Sequence, residues 1–429
     1  MIYIVLFFSL LLRLISLNQS LWLDEATTAL VSQMPFYDFF TKFMPADFHP
    51  PLYYLVVNYW SLVVGHTEIA LRIPSVIFGV LSVYATYLIA KELKFKWPII
   101  PALFLATSGL HVYYSQEARM YMMVTWLVSY LVLIFIKRKW IMFSITLPLI
   151  FLTDYLSILI LPALLIYTIL YSRKDIKKLI CSLIPFGLAF IAWLPTFSKQ
   201  LINGISVKST MTGWWDILGA VSFKNIALIP TKFILGRVSL DNKVLYGFLI
   251  TVLILIFGYA ISKAKNKLVW SWFGLSLVLG ILVSFLIPTL TYFRYLFILP
   301  AFYLLVAENT NRYVIAIVLA VNIVSSSFYL LNARFHRENW RELKNVVGSN
   351  VIVLSTTSQK EALIYYGLDK QIVSVQELKS DLPQQVWLSR YVWNVFDPSD
   401  STRKNIEELG YNWSEEVNLN GVVVWKYIK

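Results

Sequence analysis

Two adjacent carboxylates, Asp24 and Glu25, follow the first long apolar run of the sequence. A carboxylate beside an apolar phase is partly desolvated, and because desolvation raises its basicity, such a pair could supply a general base at a membrane surface. The alternative is a solvated helix start, since acidic side chains favour the first turn of a helix. The residues alone leave both interpretations open.

Three further polar clusters interrupt the apolar sequence. His49 precedes two prolines that suit the first turn of a helix, and it could contact a phosphate or sugar or simply cap that helix. Arg72 begins an apolar run, where snorkelling to the interface explains it without another role. Glu117, Arg119 and Tyr121 lie in a polar break between two apolar runs. Since charge facing lipid is costly, the charged pair predicts either a site or a structural clasp.

Basic residues occur in two later places. Arg294, followed by Tyr295, lies one turn inside a late apolar run, where its guanidinium would match the oxygens of a lipid phosphate. Snorkelling is again the alternative. Lys232 and Arg237, in a long segment between apolar runs, are weaker candidates for the same task.

The elements that must position these residues are membrane helices. Of the 429 residues, 58% are hydrophobic and 14% are charged, a bias that soluble domains do not carry. The apolar runs are continuous, and helices of about 20 residues satisfy their own backbone in hydrocarbon. Eleven spans are predicted, at residues 1–17, 71–91, 97–113, 119–136, 140–153, 155–171, 178–195, 244–262, 268–287, 290–306 and 312–331.

Basic loops predict the topology. If the short apolar stretch at residues 51–65 lies along the interface, every short basic loop falls on one side, which the positive-inside rule makes cytoplasmic. Residues 18–70, with interfacial helices, and the long loop 196–243 then lie outside with the candidate residues. Carboxylates and cations in one outward cavity imply an amphipathic, anionic substrate. The basic loops are residues 91–96, 137–139, 173–178, 263–267 and Arg312.

The composition changes after residue 331, so the chain divides into a membrane domain, residues 1–331, and a small soluble domain, residues 332–429. An odd number of spans from a cytoplasmic N-terminus places the second domain outside. Its pattern predicts a small α/β fold. The expected elements are strands at residues 351–355 and 386–389, helices at 358–367 and 398–409, and a hairpin at 417–428 that turns at 419–421.

Four motifs in this order resemble the GT-C superfamily of membrane glycosyltransferases. The chain is similar to the protein O-mannosyltransferase and aminoarabinose-transferase group, in its dolichyl-phosphate-mannose-protein mannosyltransferase-like branch. Arg-Glu-Asn-Trp-Arg at residues 337–341 is also familiar, less specifically. The four motifs are Trp-x-Asp-Glu (22–25), His-Pro-Pro-Leu-Tyr-Tyr (49–54), Arg-x-Pro-Ser (72–75) and Tyr-Ser-Gln-Glu-Ala-Arg-Met-Tyr (114–121).

This resemblance implies an inverting transfer of a hexose or pentose from a polyprenyl-phosphate donor to a protein, lipid or glycan, on the outer face of the plasma membrane. Asp24 corresponds to the catalytic base, Glu25 to its partner and Glu117 to the acidic residue of the second outer loop. Arg294 matches in kind the residues that hold the lipid phosphate. Some relatives use a divalent metal; no complete ligand set can be placed here, so no metal or other cofactor is assigned.

Three alternatives compete with this expectation. A flippase or transporter of a lipid-linked sugar would show repeated halves and midplane binding residues, and neither is visible in the sequence. A catalytically dead scaffold would not need intact acidic motifs. A transferase of lipid-linked oligosaccharides would need a wider outer groove. The net charge of +13 falls largely in short loops, so no nucleic-acid partner is expected; the expected partners are the donor, membrane lipid and an unidentified acceptor.

Overall fold

The computed structural model describes residues 1–210, 218–356, 359–378 and 383–429. Up to residue 331 this part of the chain is mostly helical, as the apolar runs predict. The helices are Ile2–Leu14, Leu23–Val31, Phe36–Asp38, Met44–Ala46, Leu52–Val64, Glu68–Glu92, Ile99–Thr107, Gly109–Ser115, Tyr121–Ile136, Trp140–Phe151, Ile160–Tyr171, Ile176–Cys181, Ile184–Thr210, Phe223–Leu235, Lys243–Ser262, Lys267–Trp270, Ser276–Ser284, Leu299–Glu308 and Arg312–Leu331, joined by 3₁₀ turns at Leu156–Leu159, Arg173–Asp175, Tyr292–Ile298 and Ala333–Phe335 and π turns at Phe39–Phe43 and Ser271–Leu275.

Within the described residues, four helical segments are long and apolar enough to cross a membrane. A bent pair, Arg173–Cys181 with Ile184–Ser206, would make a fifth. The chain therefore has four or five clear spans, and the count of eleven stays a prediction, although every one of the eleven segments contains helix. The four are Glu68–Glu92, Lys243–Ser262, Lys267–Ser284 and Arg312–Leu331.

Several expected spans are broken helices, for local reasons. The segment at residues 97–113 divides at Ser108, whose extended backbone ends one helix and whose hydroxyl accepts from the backbone N–H of His111 to cap the next. The segment at residues 290–306 begins as a 3₁₀ turn before Leu299–Glu308. Hydropathy reports how apolar a segment is and does not detect such breaks.

The expected long loop at residues 196–243 is a correction, because much of it is helical. Helix Ile184–Thr210 continues past Pro195, and a second helix, Phe223–Leu235, follows. Ser222 caps the second helix by accepting from the backbone N–H of Asn225. A proline removes one intrahelical hydrogen bond and bends a helix, so it is a weak sign of a helix end. Residues 211–217 of this segment lie outside the described residues.

The basic loops meet at one end of the helical domain. Lys137 pairs with Glu92 at 2.9 Å, and Arg138 pairs with Asp175 at 3.1 Å. The remaining loops join through neighbouring contacts: the ammonium of Lys267 lies 4.4 Å from the Tyr171 ring centroid, and the Asn309 amide donates to the Lys263 carbonyl at 3.0 Å. The grouping on which the predicted topology depends is therefore present in three dimensions.

Helix Glu68–Glu92 separates this basic end from the candidate residues. Arg72 lies in its first turns and Glu92 is its last residue. Twenty residues at 1.5 Å each place these two about 30 Å apart, which is the thickness of the hydrocarbon core. A site around Arg72 and a cluster of basic loops around Glu92 thus lie at opposite ends of the helical domain.

The C-terminal domain is built on a five-stranded mixed sheet. Its strands lie side by side in the order β2 (Ile372–Val373), β1 (Val351–Val353), β3 (Gln385–Ser389), β5 (Val422–Ile428) and β4 (Asn412–Leu419). Strands β1 and β3, the helices near residues 360 and 401, and the hairpin β4–β5 confirm the expected elements; Asn420 and Gly421 turn the hairpin with φ of 51° and 105°. The two-residue strand β2 and helix Trp340–Val347 were not predicted. The elements are Trp340–Val347, β1 (Val351–Val353), Lys360–Tyr365, a 3₁₀ turn at Asp369–Gln371, β2 (Ile372–Val373), Val375–Leu378, β3 (Gln385–Ser389), Trp393–Phe396, Ser401–Glu408, β4 (Asn412–Leu419) and β5 (Val422–Ile428).

Candidate active site

Glu25 and Arg72 form a fully buried ion pair at the centre of the candidate site. Arg72 donates to the two carboxylate oxygens of Glu25 at 2.8 and 2.5 Å, and the backbone N–H of Ala118 donates to Glu25 at 2.7 Å. The rest of the guanidinium donates to the carbonyl oxygens of Leu17, Gln19 and Ser20. A side chain held this way does not extend to the membrane interface, so snorkelling does not explain Arg72. Glu25 therefore joins its own segment to those of Arg72 and Ala118.

Arg337 extends this pair, and sequence reasoning did not include it among the site residues. Its Nη2 donates to Oε2 of Glu117 at 3.1 Å, and its Nε lies 3.4 Å from Oε2 of Glu25. The guanidinium stacks 4.4 Å from the ring centroid of Tyr113. The side chains form an alternating buried series, Arg72–Glu25–Arg337–Glu117. The only indication in the sequence was the Arg-Glu-Asn-Trp-Arg motif, and its spacing does not predict that Arg337 contacts Glu25.

The two acids of this series differ in their electrostatics. Burial alone raises the pKa of Glu25, but the charges of Arg72 and Arg337 outweigh it and leave the pKa lowered. Glu117 has the opposite balance: burial and the nearby charge of Glu25 raise its pKa to about 7 against the opposing charge of Arg337. Oε1 of Glu117 is buried and has no hydrogen-bond partner among the described residues. It is therefore free to accept a hydrogen bond from a ligand.

Asp24 is the accessible carboxylate of the site, with 43% of its side chain exposed. Its Oδ2 lies 3.6 Å from Nη2 of Arg119, and the Arg119 guanidinium also donates to the Tyr54 hydroxyl at 3.2 Å and to Nε2 of His49 at 3.1 Å. His49 and Tyr54 belong to the His-Pro-Pro-Leu-Tyr-Tyr motif. His49 lies before helix Leu52–Val64 and Tyr54 lies in its first turn, and both contact the guanidinium of Arg119. The motif residues therefore orient the cation beside Asp24.

Asp47 completes this support and was not predicted. Its Oδ2 accepts from the Tyr54 hydroxyl at 2.9 Å, and its Oδ1 lies 3.5 Å from Nδ1 of His49. Burial raises the pKa of Asp47, but the His49 contacts and the charge of Arg119 outweigh this and lower it. An aspartate two residues before a His-Pro-Pro sequence gives no distinctive signal by itself.

The opposite wall carries cations that lack carboxylate partners within the described residues. Arg237 is exposed and donates to the Tyr113 hydroxyl at 2.9 Å, with its guanidinium 4.7 Å from the same ring. The guanidinium of Arg294 donates to the Pro288 carbonyl at 3.1 Å. Burial lowers the pKa of Lys232 to about 8, and the charges of Arg237 and Lys243 add to that effect. Cations that lack carboxylate partners attract anions.

Tyr121 joins the two walls. Its ring lies 5.2 Å from that of Tyr114, just before the polar break that contains Glu117 and Arg119. Its ring lies 5.5 Å from that of Phe293, next to Arg294. The structure thus brings together candidates from four distant parts of the sequence.

Tyr295 is a correction. Its side chain is fully buried and packs where Gly280 leaves room for it, so the ring fills the domain core beside helix Ser276–Ser284. Neighbouring residues of a 3₁₀ turn point in different directions. Arg294 can therefore face the site while Tyr295 does not, and the expected substrate contact of Tyr295 is not retained.

A cavity of about 290 Å³ lies beside these residues, where the helical domain meets the C-terminal domain. Tyr113, Arg237 and Arg337 line one side, and Glu338, Tyr391 and Asn420 line the other. The charges of Asp24 and Arg237 both act on the Tyr391 hydroxyl. The C-terminal domain is thus a wall of the site. No group of three or more His, Cys, Asp or Glu side chains suited to a metal ion occurs in the described part of the chain.

Comparisons with known proteins show what this chain is similar to. Residues 48–199 match the family described as dolichyl-phosphate-mannose-protein mannosyltransferase. A crystal structure of ArnT from Cupriavidus metallidurans bound to undecaprenyl phosphate matches with a TM-score of 0.60 at 10% identity, over 99% of this chain and 97% of that one. The apo structure of the same protein gives 0.59, also at 10% identity and with the same coverage.

A more distant fold match is the oligosaccharyltransferase of Archaeoglobus fulgidus. The TM-score is 0.51 at 11% identity, over 86% of this chain and 64% of that one. No curated protein matches the sequence. A fold match spans nearly the whole chain, and a family match covers the segment with the His-Pro-Pro and Gln-Glu-Ala-Arg motifs. The chain therefore has the fold of the ArnT structures and, over residues 48–199, resembles the dolichyl-phosphate-mannose-protein mannosyltransferase family.

Proposed function

We propose that the protein is an inverting glycosyltransferase that moves one sugar from a polyprenyl-phosphate donor to an acceptor on the outer face of the plasma membrane. The observation that carries the proposal is that one accessible carboxylate, Asp24, lies in the same site as cations that have no carboxylate partner among the described residues. The first suits an acceptor hydroxyl, and the second suits the phosphate of the donor. The sugar, whether hexose or pentose, and the acceptor class stay open.

Asp24 is the proposed base. The acceptor oxygen attacks the anomeric carbon, Asp24 takes the proton of that oxygen, and the bond from the anomeric carbon to the phosphate oxygen breaks. Polyprenyl phosphate leaves with the bonding electrons. Glu25 is unsuited to this step because Arg72, Arg337 and the Ala118 backbone already engage its oxygens. Phosphate is a good leaving group, so one base with cationic stabilisation suffices.

Arg294, Arg237 and Lys232 are proposed to hold the donor phosphate. A guanidinium presents a planar fork to phosphate oxygens, and both arginines are free of carboxylates within the described residues. The ArnT structure described above contains undecaprenyl phosphate, which supports a lipid phosphate as the ligand of this fold. Oε1 of Glu117, which has no partner among the described residues, would accept a hydrogen bond from a hydroxyl of the sugar or acceptor.

The outer-face assignment rests on charge. The basic loops gather at the end of the helical domain that is about 30 Å from Arg72, and basic loops favour the cytoplasm. The site and the C-terminal domain would then face outward. Cysteines introduced singly at Lys139 and at Glu416 of a Cys181→Ser protein would test this with an impermeant maleimide on intact cells. Labelling of the second position alone is expected; labelling of the first alone would reverse the topology.

The function itself is tested by donor consumption. Membranes that contain the protein are incubated with radiolabelled polyprenyl-phosphate monosaccharides, and release of polyprenyl phosphate is measured against membranes without it. Protein-dependent release with one sugar is expected and would name the donor. Movement of intact donor across the bilayer, without release, would instead identify a flippase.

A further inference from the structure

The hairpin turn of the C-terminal domain holds the segment that brings Arg337 to the two buried acids. The amide nitrogen of Asn420 lies 3.2, 3.1 and 3.0 Å from the carbonyl oxygens of Ala333, His336 and Arg337. The same hairpin accepts the backbone N–H of Asn339 on the Leu419 carbonyl at 3.1 Å. One side chain at the turn therefore organises the connection between the last membrane helix and the soluble domain.

The other side of this segment is held by the membrane domain. The side chain of Gln19 accepts from the backbone N–H of Arg337 at 3.1 Å, and the Tyr113 carbonyl accepts from its guanidinium at 3.2 Å. The Arg337 backbone is thus fixed between the first outer segment and the hairpin. These contacts restrict the positions from which the Arg337 guanidinium can contact Glu25 and Glu117.

Asn420 has a backbone φ of 51°, a left-handed conformation that Asn and Gly adopt more readily than other residues. The turn alone would therefore be satisfied by glycine. The amide does a second task that glycine cannot, because its two N–H groups donate to carbonyl oxygens outside the hairpin, three of which lie within reach. Asn420 therefore combines a left-handed turn conformation with hydrogen bonds to a segment more than 80 residues earlier in the chain.

We infer that Asn420 is a positioning residue of the active site that acts through Arg337 on Glu25 and Glu117. The C-terminal domain would thereby set the geometry of these two acids. This inference rests on the proposed function only for its kinetic consequences. The structural part, that the turn amide fixes residues 332–339, stands apart from any reaction.

Asn420→Gly keeps the turn and removes the amide. Losing one or two hydrogen bonds corresponds to about a tenfold increase in local opening, so amide hydrogen exchange in residues 332–339 should quicken about tenfold. Exchange in β3 and β5 should stay unchanged. Asn412→Gly makes the same substitution at the exposed start of β4 and should leave residues 332–339 as they are. Unchanged exchange at 332–339 in the Asn420 variant would overturn the inference, as would a general increase throughout the C-terminal domain.

A kinetic cycle tests the action through Arg337. Asn420→Gly should lower kcat about tenfold and leave the KM for the donor within twofold, because the Asn420 amide contacts Ala333, His336 and Arg337 and not the proposed donor cations. In an Arg337→Lys background the same change should cost little more, because its effect passes through the missing guanidinium. Equal losses in both backgrounds would refute the coupling. If the unaltered protein consumes no donor, the proposed function fails, and the exchange measurement alone decides the inference.

Discussion

Glu117 is predicted to destabilise the fold at neutral and alkaline pH, and Glu117→Gln should relieve this. The pKa rises from an ordinary value of 4.5 to about 7, which corresponds to about 3 kcal/mol of free energy of unfolding. The folded protein keeps this proton up to about pH 7, whereas the unfolded chain releases it near pH 4.5. Stability is therefore lost as the pH rises through that window, and the loss is complete above it.

The Glu117→Gln variant resembles the protonated side chain at every pH. It should match the unaltered protein at pH 4, below the ordinary pKa of 4.5, and be more stable by about 3 kcal/mol at pH 8. For 429 residues the entropy of unfolding is about 0.9 kcal/mol per kelvin, so Tm should rise by roughly 3 °C at pH 8. The lowered pKa of Glu25 makes stability depend on pH with the opposite sign. Both proteins contain Glu25, so comparing them at each pH isolates the contribution of Glu117.

Tryptophan fluorescence during heating in detergent micelles would measure the two Tm values at both pH values. Glu92→Gln, a half-exposed carboxylate at the basic end of the domain, is the matched control and should show no gain at pH 8. A Glu117→Gln protein that is less stable than the unaltered protein at pH 8 would refute the reasoning. It would mean that the ion pair with Arg337 outweighs the burial of the charge.

Two other substitutions test separate parts of the site. Glu25→Gln leaves Arg72 buried without its carboxylate partner, so it should cost about 3–5 kcal/mol of unfolding free energy, measured from denaturation in detergent. A loss below about 1 kcal/mol would contradict the role of the Glu25–Arg72 pair. Arg294→Ala should weaken polyprenyl phosphate binding about tenfold or more by direct titration, with Arg312→Ala at the basic end as the control, and unchanged affinity would remove Arg294 from the phosphate site.

The sequence predicted the helical domain and the C-terminal α/β domain because hydropathy and strand patterns are local properties. It did not predict the helix breaks at Ser108 and before Leu299, since these depend on single caps and turns inside apolar runs. Helix continuation past Pro195 was missed for a related reason: a proline bends a helix without ending it. The count of eleven spans and the membrane orientation stay predictions.

The candidate site was predictable where a motif contains its own residues. Asp24, Glu117 and Arg119 were named from their sequence surroundings and do lie near one another. Arg337 was missed because its partners are more than 200 residues away, and only the packing of the soluble domain on the helices makes the contact. Tyr295 was included because it neighbours Arg294, and adjacent residues in a turn need not share a surface.

The central claim is that Asp24 takes the acceptor proton while a polyprenyl phosphate leaves. Transfer from the radiolabelled donor panel, compared between the unaltered protein and Asp24→Asn at equal amounts of folded protein in native membranes, tests it most directly. The account predicts release of polyprenyl phosphate by the unaltered protein and a loss of at least about a hundredfold in the variant, whose amide cannot take a proton. Transfer by Asp24→Asn at the rate of the unaltered protein would contradict the claim.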